Sequence, residues 1–158
     1  MSKEALMKAV KASISEVLEK MFFLPLEFAE EKSPAELWPS GSDEGLIATA
    51  LAFQGPFSGQ YCFFIPKHSA QTLTASFLGE DKKQVTPEQV AETVKEILNM
   101  IAGNTFGIFD EKAIFNLGIP QFVDFKKVKN QKPGEARQIL VVVDTLDQTM
   151  AFQLILNA

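Results

Sequence analysis

Residues 86–106 read TPEQVAETVKEILNMIAGNTF. Thr86 and Gln89 have the spacing of a reciprocal helix cap, and Pro87 takes the first helical position, where its missing N–H costs nothing. From there Val90, Val94, Ile97, Leu98, Ile101 and Thr105 recur at helical spacing. The pattern predicts a helix running to Phe106 or beyond with one buried stripe. At about 100° per residue, Glu92, Glu96, Asn99 and Gly103 fall in a narrow sector almost opposite that stripe, so they face solvent or a partner together. Gly103 costs about 0.8–1 kcal/mol against alanine in a helix interior but lets another backbone come close. The plainer alternatives are a solvated face, and a helix C-terminus at Gly103-Asn104, where both residues tolerate the left-handed conformation.

A second helix with the same character precedes it. From Glu4 to Phe22, Leu6, Val10, Ile14, Val17, Leu18 and Met21 recur at helical steps. A shift of 80 residues lays Val90, Val94, Ile97, Leu98 and Ile101 over Val10, Ile14, Val17, Leu18 and Met21. The same shift sets Glu96-Ile97-Leu98-Asn99 over Glu16-Val17-Leu18-Glu19, matching in character except at Asn99. The chain therefore reads as two long helices in equivalent roles, each tied to its own hairpin.

Between and after the helices the pattern turns strand-like. Gly45–Phe53 and Phe57–Ile65, joined by Gln54-Gly55-Pro56, predict an antiparallel hairpin. Lys67–Leu78 predicts a shorter helix closed by Gly79, and Glu80–Gln84 a charged connector. Leu24–Ala29 reads as a short strand and Glu30–Glu44 as a surface loop around Trp38. Gln121–Lys127, Gln138–Thr145 and Thr149–Leu156 read as three further strands. The middle one carries Ile139-Leu140-Val141-Val142-Val143, apolar on both faces, which predicts a central strand or a subunit contact. The fold class is α/β (α+β): a predominantly antiparallel sheet with two long pseudo-repeat helices on one face, expected as a single domain over residues 1–158.

Composition narrows the chemistry. The chain has 158 residues, 46% hydrophobic and 22% charged, with a net charge of -5. That acidity removes the electrostatic footprint of sequence-independent nucleic-acid binding. One cysteine, Cys62, forms no intrachain disulfide, and one histidine, His68, builds neither a zinc cage nor a histidine relay with a second imidazole. Cys62 reads as a small core residue and His68 as a surface residue at a helix start. Neither a long uncharged apolar run nor a signal peptide is evident, so a cytoplasmic protein without membrane insertion is expected. No phosphate-cradling loop, paired metal carboxylates or nucleophile elbow is present.

At Glu96-Ile-Leu-Asn-Met-Ile-Ala-Gly-Asn104 the sequence resembles the CheX branch of the CheC/CheX/FliY family, phosphatases of the phosphorylated chemotaxis response regulator CheY. The resemblance extends to Gln54–Pro66, to the following helix ending Phe77-Leu-Gly79, and to the first helix and final hairpin. The family's signature is Asp or Ser, then Glu four residues on, then Asn three after that. Glu96 and Asn99 match it, and Glu92 stands where Asp or Ser is usual. The CheC branch has two working helices and CheX-like chains one, which agrees with Glu19 standing where a second asparagine would be.

The resemblance implies that Asn99 positions the attacking water and Glu96 pairs with a lysine of the receiver, with Glu92 and Gly103 on the docking face. It implies no cofactor of the chain's own, the divalent metal, expected to be Mg, coming from the receiver. Together with the apolar 139–143 strand it favours a homodimer. Two rivals remain: a non-catalytic adaptor in signalling or at the flagellar switch, and a small-molecule-binding α/β domain.

Overall fold

The computed structural model describes residues 2–39, 45–128, 137–146 and 148–157. Ser2 opens the first helix, its hydroxyl accepting from the Ala5 N–H at 3.1 Å. Helix α1 (Lys3–Ile14) continues into a π-helical stretch, Ser15–Met21. The wider π turn rotates the end of the buried stripe. Val17, Leu18 and Phe22 therefore reach the core, while Met21, read as part of the stripe, is 50% exposed.

Strand β1 (Glu27–Ala29) follows, then a one-turn helix α2 (Pro34–Leu37). Ser33 and Glu36 cap α2 reciprocally at 3.2 and 3.1 Å. This corrects the expected surface loop in part: Trp38 is buried against Phe64 and Phe125. Residues 40–44 of that loop lie outside the described residues.

The expected hairpin is present as β2 (Leu46–Gln54) and β3 (Gly59–Pro66), paired from Leu46↔Pro66 to Phe53↔Gly59. Helix α3 (Lys67–Leu78) ends at Gly79, whose φ of 67° closes it in the left-handed form as the sequence predicts. After a 3₁₀ turn (Lys82–Gln84), helix α4 spans Pro87–Phe109. Gly103 and Asn104 are therefore interior to α4, not its terminus.

The remaining elements are β4 (Asn116–Leu117), β5 (Gln121–Phe122), α5 (Phe125–Val128), β6 (Gln138–Asp144) and β7 (Thr149–Leu156). The strand expected over 121–127 thus lasts two residues. The Asp124 carboxylate accepts the Lys126 N–H at 3.0 Å and turns the chain, which lets Phe125 fill the space beside Trp38 and Phe64.

The sheet order is β1-β6-β7-β3-β2-β4, with β5 also on β2, and every pairing is antiparallel. Strand β6 is next to the edge rather than central. Its Ile139, Val141 and Val143 join the main core, and Leu140 and Val142 are buried on the opposite face. Gly59 lets β3 and β7 approach, because an added Cβ would meet the Ile155 carbonyl oxygen. The main core lies between one face of the sheet and helices α1, α3 and α4. A smaller cluster of Trp38, Ala48, Cys62, Phe64 and Phe125 packs on the other face.

Candidate functional site

The 23-residue α4 begins with the reciprocal cap read from the sequence: Gln89 N–H donates to Thr86 Oγ1 at 3.2 Å and Thr86 N–H to Gln89 Oε1 at 2.9 Å. Val90, Val94, Ile97, Leu98, Ile101 and Thr105 are all buried. At mid-helix the Ile101 carbonyl accepts the hydroxyls of Ser13 at 2.6 Å and Thr105 at 2.7 Å, and Thr105 Oγ1 also bonds the Tyr61 phenol at 2.8 Å. This buried network ties α4 to α1 and to β3. Burial raises the Tyr61 phenol above its ordinary value, so it stays protonated. No local pattern signals this network, because its members are far apart along the chain.

The opposite face is open. Glu92, Glu96, Asn99 and Gly103 are all exposed on the outer side of α4. Glu96 and Asn99, three residues apart, are neighbours on that surface. A helix anchored by buried bonds on one side therefore presents a carboxylate and a carboxamide side by side on the other. Neither Gly103 nor Gly107 is demanded by the chain's own packing: a Cβ at 103 meets only Leu117 Cδ1 at 4.0 Å, and one at 107 meets nothing within 4 Å.

Sequence reasoning missed the neighbouring relief. A groove of about 390 Å³ runs beside Glu96, between Phe77 and Leu78 at the end of α3 and Glu88 and Glu92 of α4. Two signals for it stood in the sequence, namely an apolar pair directly before the helix-ending Gly79 and glutamates repeating every four residues.

The matching segment of the first helix differs in geometry as well as in residue type. Glu16, the counterpart of Glu96, is ion-paired with Lys20 at 2.9 Å. Glu16 and Glu19 also lie within the π-helical stretch, so residues three apart are splayed compared with Glu96 and Asn99.

The other singled-out residues lie elsewhere. His68 is exposed in the first turn of α3, with Lys82 Nζ 2.7 Å from its Nδ1. Cys62 is buried, and burial pushes its thiol up to about 12. Among the described residues no group of three or more His, Cys, Asp or Glu is placed to hold a metal ion, and no helix is long and apolar enough to cross a membrane.

Comparison with known proteins agrees with this architecture. The family model described as chemotaxis phosphatase CheX matches residues 47–144. No curated protein matches. A CheC-like superfamily protein from Shewanella sp. PV-4 is 17% identical, with a TM-score of 0.76 and full coverage, 100% of both chains. The chemotaxis protein CheX from Vibrio vulnificus is 19% identical, TM-score 0.73, with 96% of each chain covered. A chain in the CheX–CheY–BeF3–Mg complex from Borrelia burgdorferi is 17% identical, TM-score 0.66, covering 96% of this chain and 97% of that one. These three share the fold.

Proposed function

The chain belongs to the CheX family of chemotaxis phosphatases, and from that membership we propose that it stimulates hydrolysis of the aspartyl phosphate on a CheY-like response regulator. The observation that carries the reading is the exposed Glu96–Asn99 pair on a helix braced from behind.

Hydrolysis needs water in line with the P–O bond to the receiver's aspartate. As the water oxygen bonds to phosphorus, that P–O bond breaks, its electron pair regenerates the aspartate carboxylate, and inorganic phosphate leaves with both of the water's protons, releasing one to solvent as the pH dictates. The receiver's divalent cation supplies charge neutralisation at the phosphoryl oxygens. What this chain adds is position. The Asn99 carbonyl accepts a hydrogen bond from the water and its NH2 can donate one, which fixes the nucleophile without bringing a negative charge toward the phosphoryl group. Asn99 is no general base. Glu96 pairs with the receiver's lysine and sets the docking register. Gly103, one turn beyond Asn99, admits the receiver's backbone, and Glu92 lies on the same contact face. We place the protein in the cytoplasm, acting as a homodimer.

The test is the decay of a radiolabelled phospho-receiver with and without the protein, run over the receivers of the same genome. A shortened lifetime for at least one receiver is expected. An adaptor would leave every lifetime unchanged or longer, and that result would overturn the reading.

A further inference from the structure

The groove between the end of α3 and the first half of α4 shares Glu96 with the Glu96–Asn99 pair, so anything docked on the pair also covers the groove. One wall is apolar. Phe77 is 49% and Leu78 40% exposed. The Phe77 ring is held by stacking on Phe22 with centroids 4.9 Å apart, which fixes one ring face and leaves the side chain at the groove.

The other wall is acidic. Glu88, Glu92 and Glu96 stand at successive i,i+4 steps on α4, and none has an ion-pair partner among the described residues. Like charges so placed repel one another, a tension that an incoming cation relieves. Apolar and acidic walls together suit an apolar side chain flanked by lysine or arginine, or the aliphatic stem of such a residue with its charged head at the rim. A second copy fits poorly, because two-fold contact through this face would oppose glutamates to glutamates.

Resting on the phosphatase reading, we propose that this groove is the second half of the receiver-docking face, taking a basic-and-apolar segment that the receiver presents beside its phosphorylation site. It sets affinity and choice of receiver, while Asn99 sets the chemical rate. Glu88, Phe77 and Leu78 are therefore specificity-determining residues that touch the receiver but not the phosphoryl group.

The experiment measures initial dephosphorylation rates over a range of phospho-receiver concentration for the wild type, Leu78→Glu, Leu78→Met and Glu88→Gln, with thermal melts and sedimentation of each. Leu78→Glu should raise the half-saturating receiver concentration at least tenfold and leave the saturated rate within twofold. Leu78→Met should behave as wild type, and Glu88→Gln should raise half-saturation about threefold and flatten its dependence on salt. Glu88→Gln carries the test if Leu78→Glu fails to fold. Unchanged half-saturation in Glu88→Gln and in folded Leu78→Glu, beside an active wild type, overturns the groove alone. A changed sedimentation state without a changed half-saturation makes the groove a self-contact and also overturns it. A wild type inactive on every receiver removes the phosphatase reading and the docking assignment with it.

Discussion

The Asn99 side chain is exposed and makes no hydrogen bond within the described residues, so it has little bearing on the fold. Asn99→Ala should lower receiver dephosphorylation at least about 100-fold, the scale of losing a positioned reactant. Its melting temperature should match or slightly exceed the wild type's, since alanine is the better helix former. A variant that discharged the receiver at the wild-type rate would mean the carboxamide has no part in the reaction. Gly103 gives the converse test. The chain has room for a methyl group there, so Gly103→Ala should stabilise the free protein by about 1 kcal/mol, read as an increase of roughly 2–4 °C in Tm. The same variant should need more receiver for half-maximal rate. A gain in stability with unaltered affinity would show that the glycine serves no contact.

Among the elements, α4 carries the site, and its start is fixed by the Thr86–Gln89 cap. Thr86→Ala should cost about 1 kcal/mol, lowering Tm by roughly 2–4 °C in a scanning melt. Element type was largely legible where one periodicity persisted. The cap and the uninterrupted stripe gave α4, and the β2–β3 hairpin followed from two strand-like runs around Gln54-Gly55-Pro56. Legibility failed where a local side-chain bond or a tertiary contact outweighed the pattern. Asp124 turned an expected strand into α5, and the Ser33–Glu36 cap built a helical turn in an expected loop. The π-helical stretch exposed Met21, although its spacing matched Ile101. At the candidate site, the outward sector was readable from angles alone. The brace behind it, Ser13 to Ile101 to Thr105 to Tyr61, was not, because it joins residues that only the fold brings together.

Over the whole molecule, the two faces of the sheet hold different titratable groups. Tyr61 points to the main core and Cys62 to the smaller cluster, both fully buried. Burial moves the Cys62 thiol from its ordinary 9.0 to about 12. Above pH 9 the unfolded chain releases this proton while the folded chain keeps it, so the stability present in full below pH 9 is lost as pH rises toward 12. Tyr61 adds the same sign above pH 10. Thermal melts should fall more steeply between pH 9 and 11 for the wild type than for Cys62→Ala, by up to about 1.4 kcal/mol per pH unit for the thiol. Parallel curves would show that the thiol ionises as readily folded as unfolded.

The outward placement of Asn99 bears on what the protein can act upon. A carboxamide on the convex side of a rod has no walls with which to seize a free anion, so on the proposed function the cavity around the leaving phosphate would have to be furnished by the molecule that carries it. Small acyl phosphates, acetyl phosphate among them, should therefore persist in its presence as long as in buffer, as followed by phosphate release. On the proposed function, selectivity of this kind needs no gate: the helix would complete a reaction chamber only when another protein arrived with the rest of it.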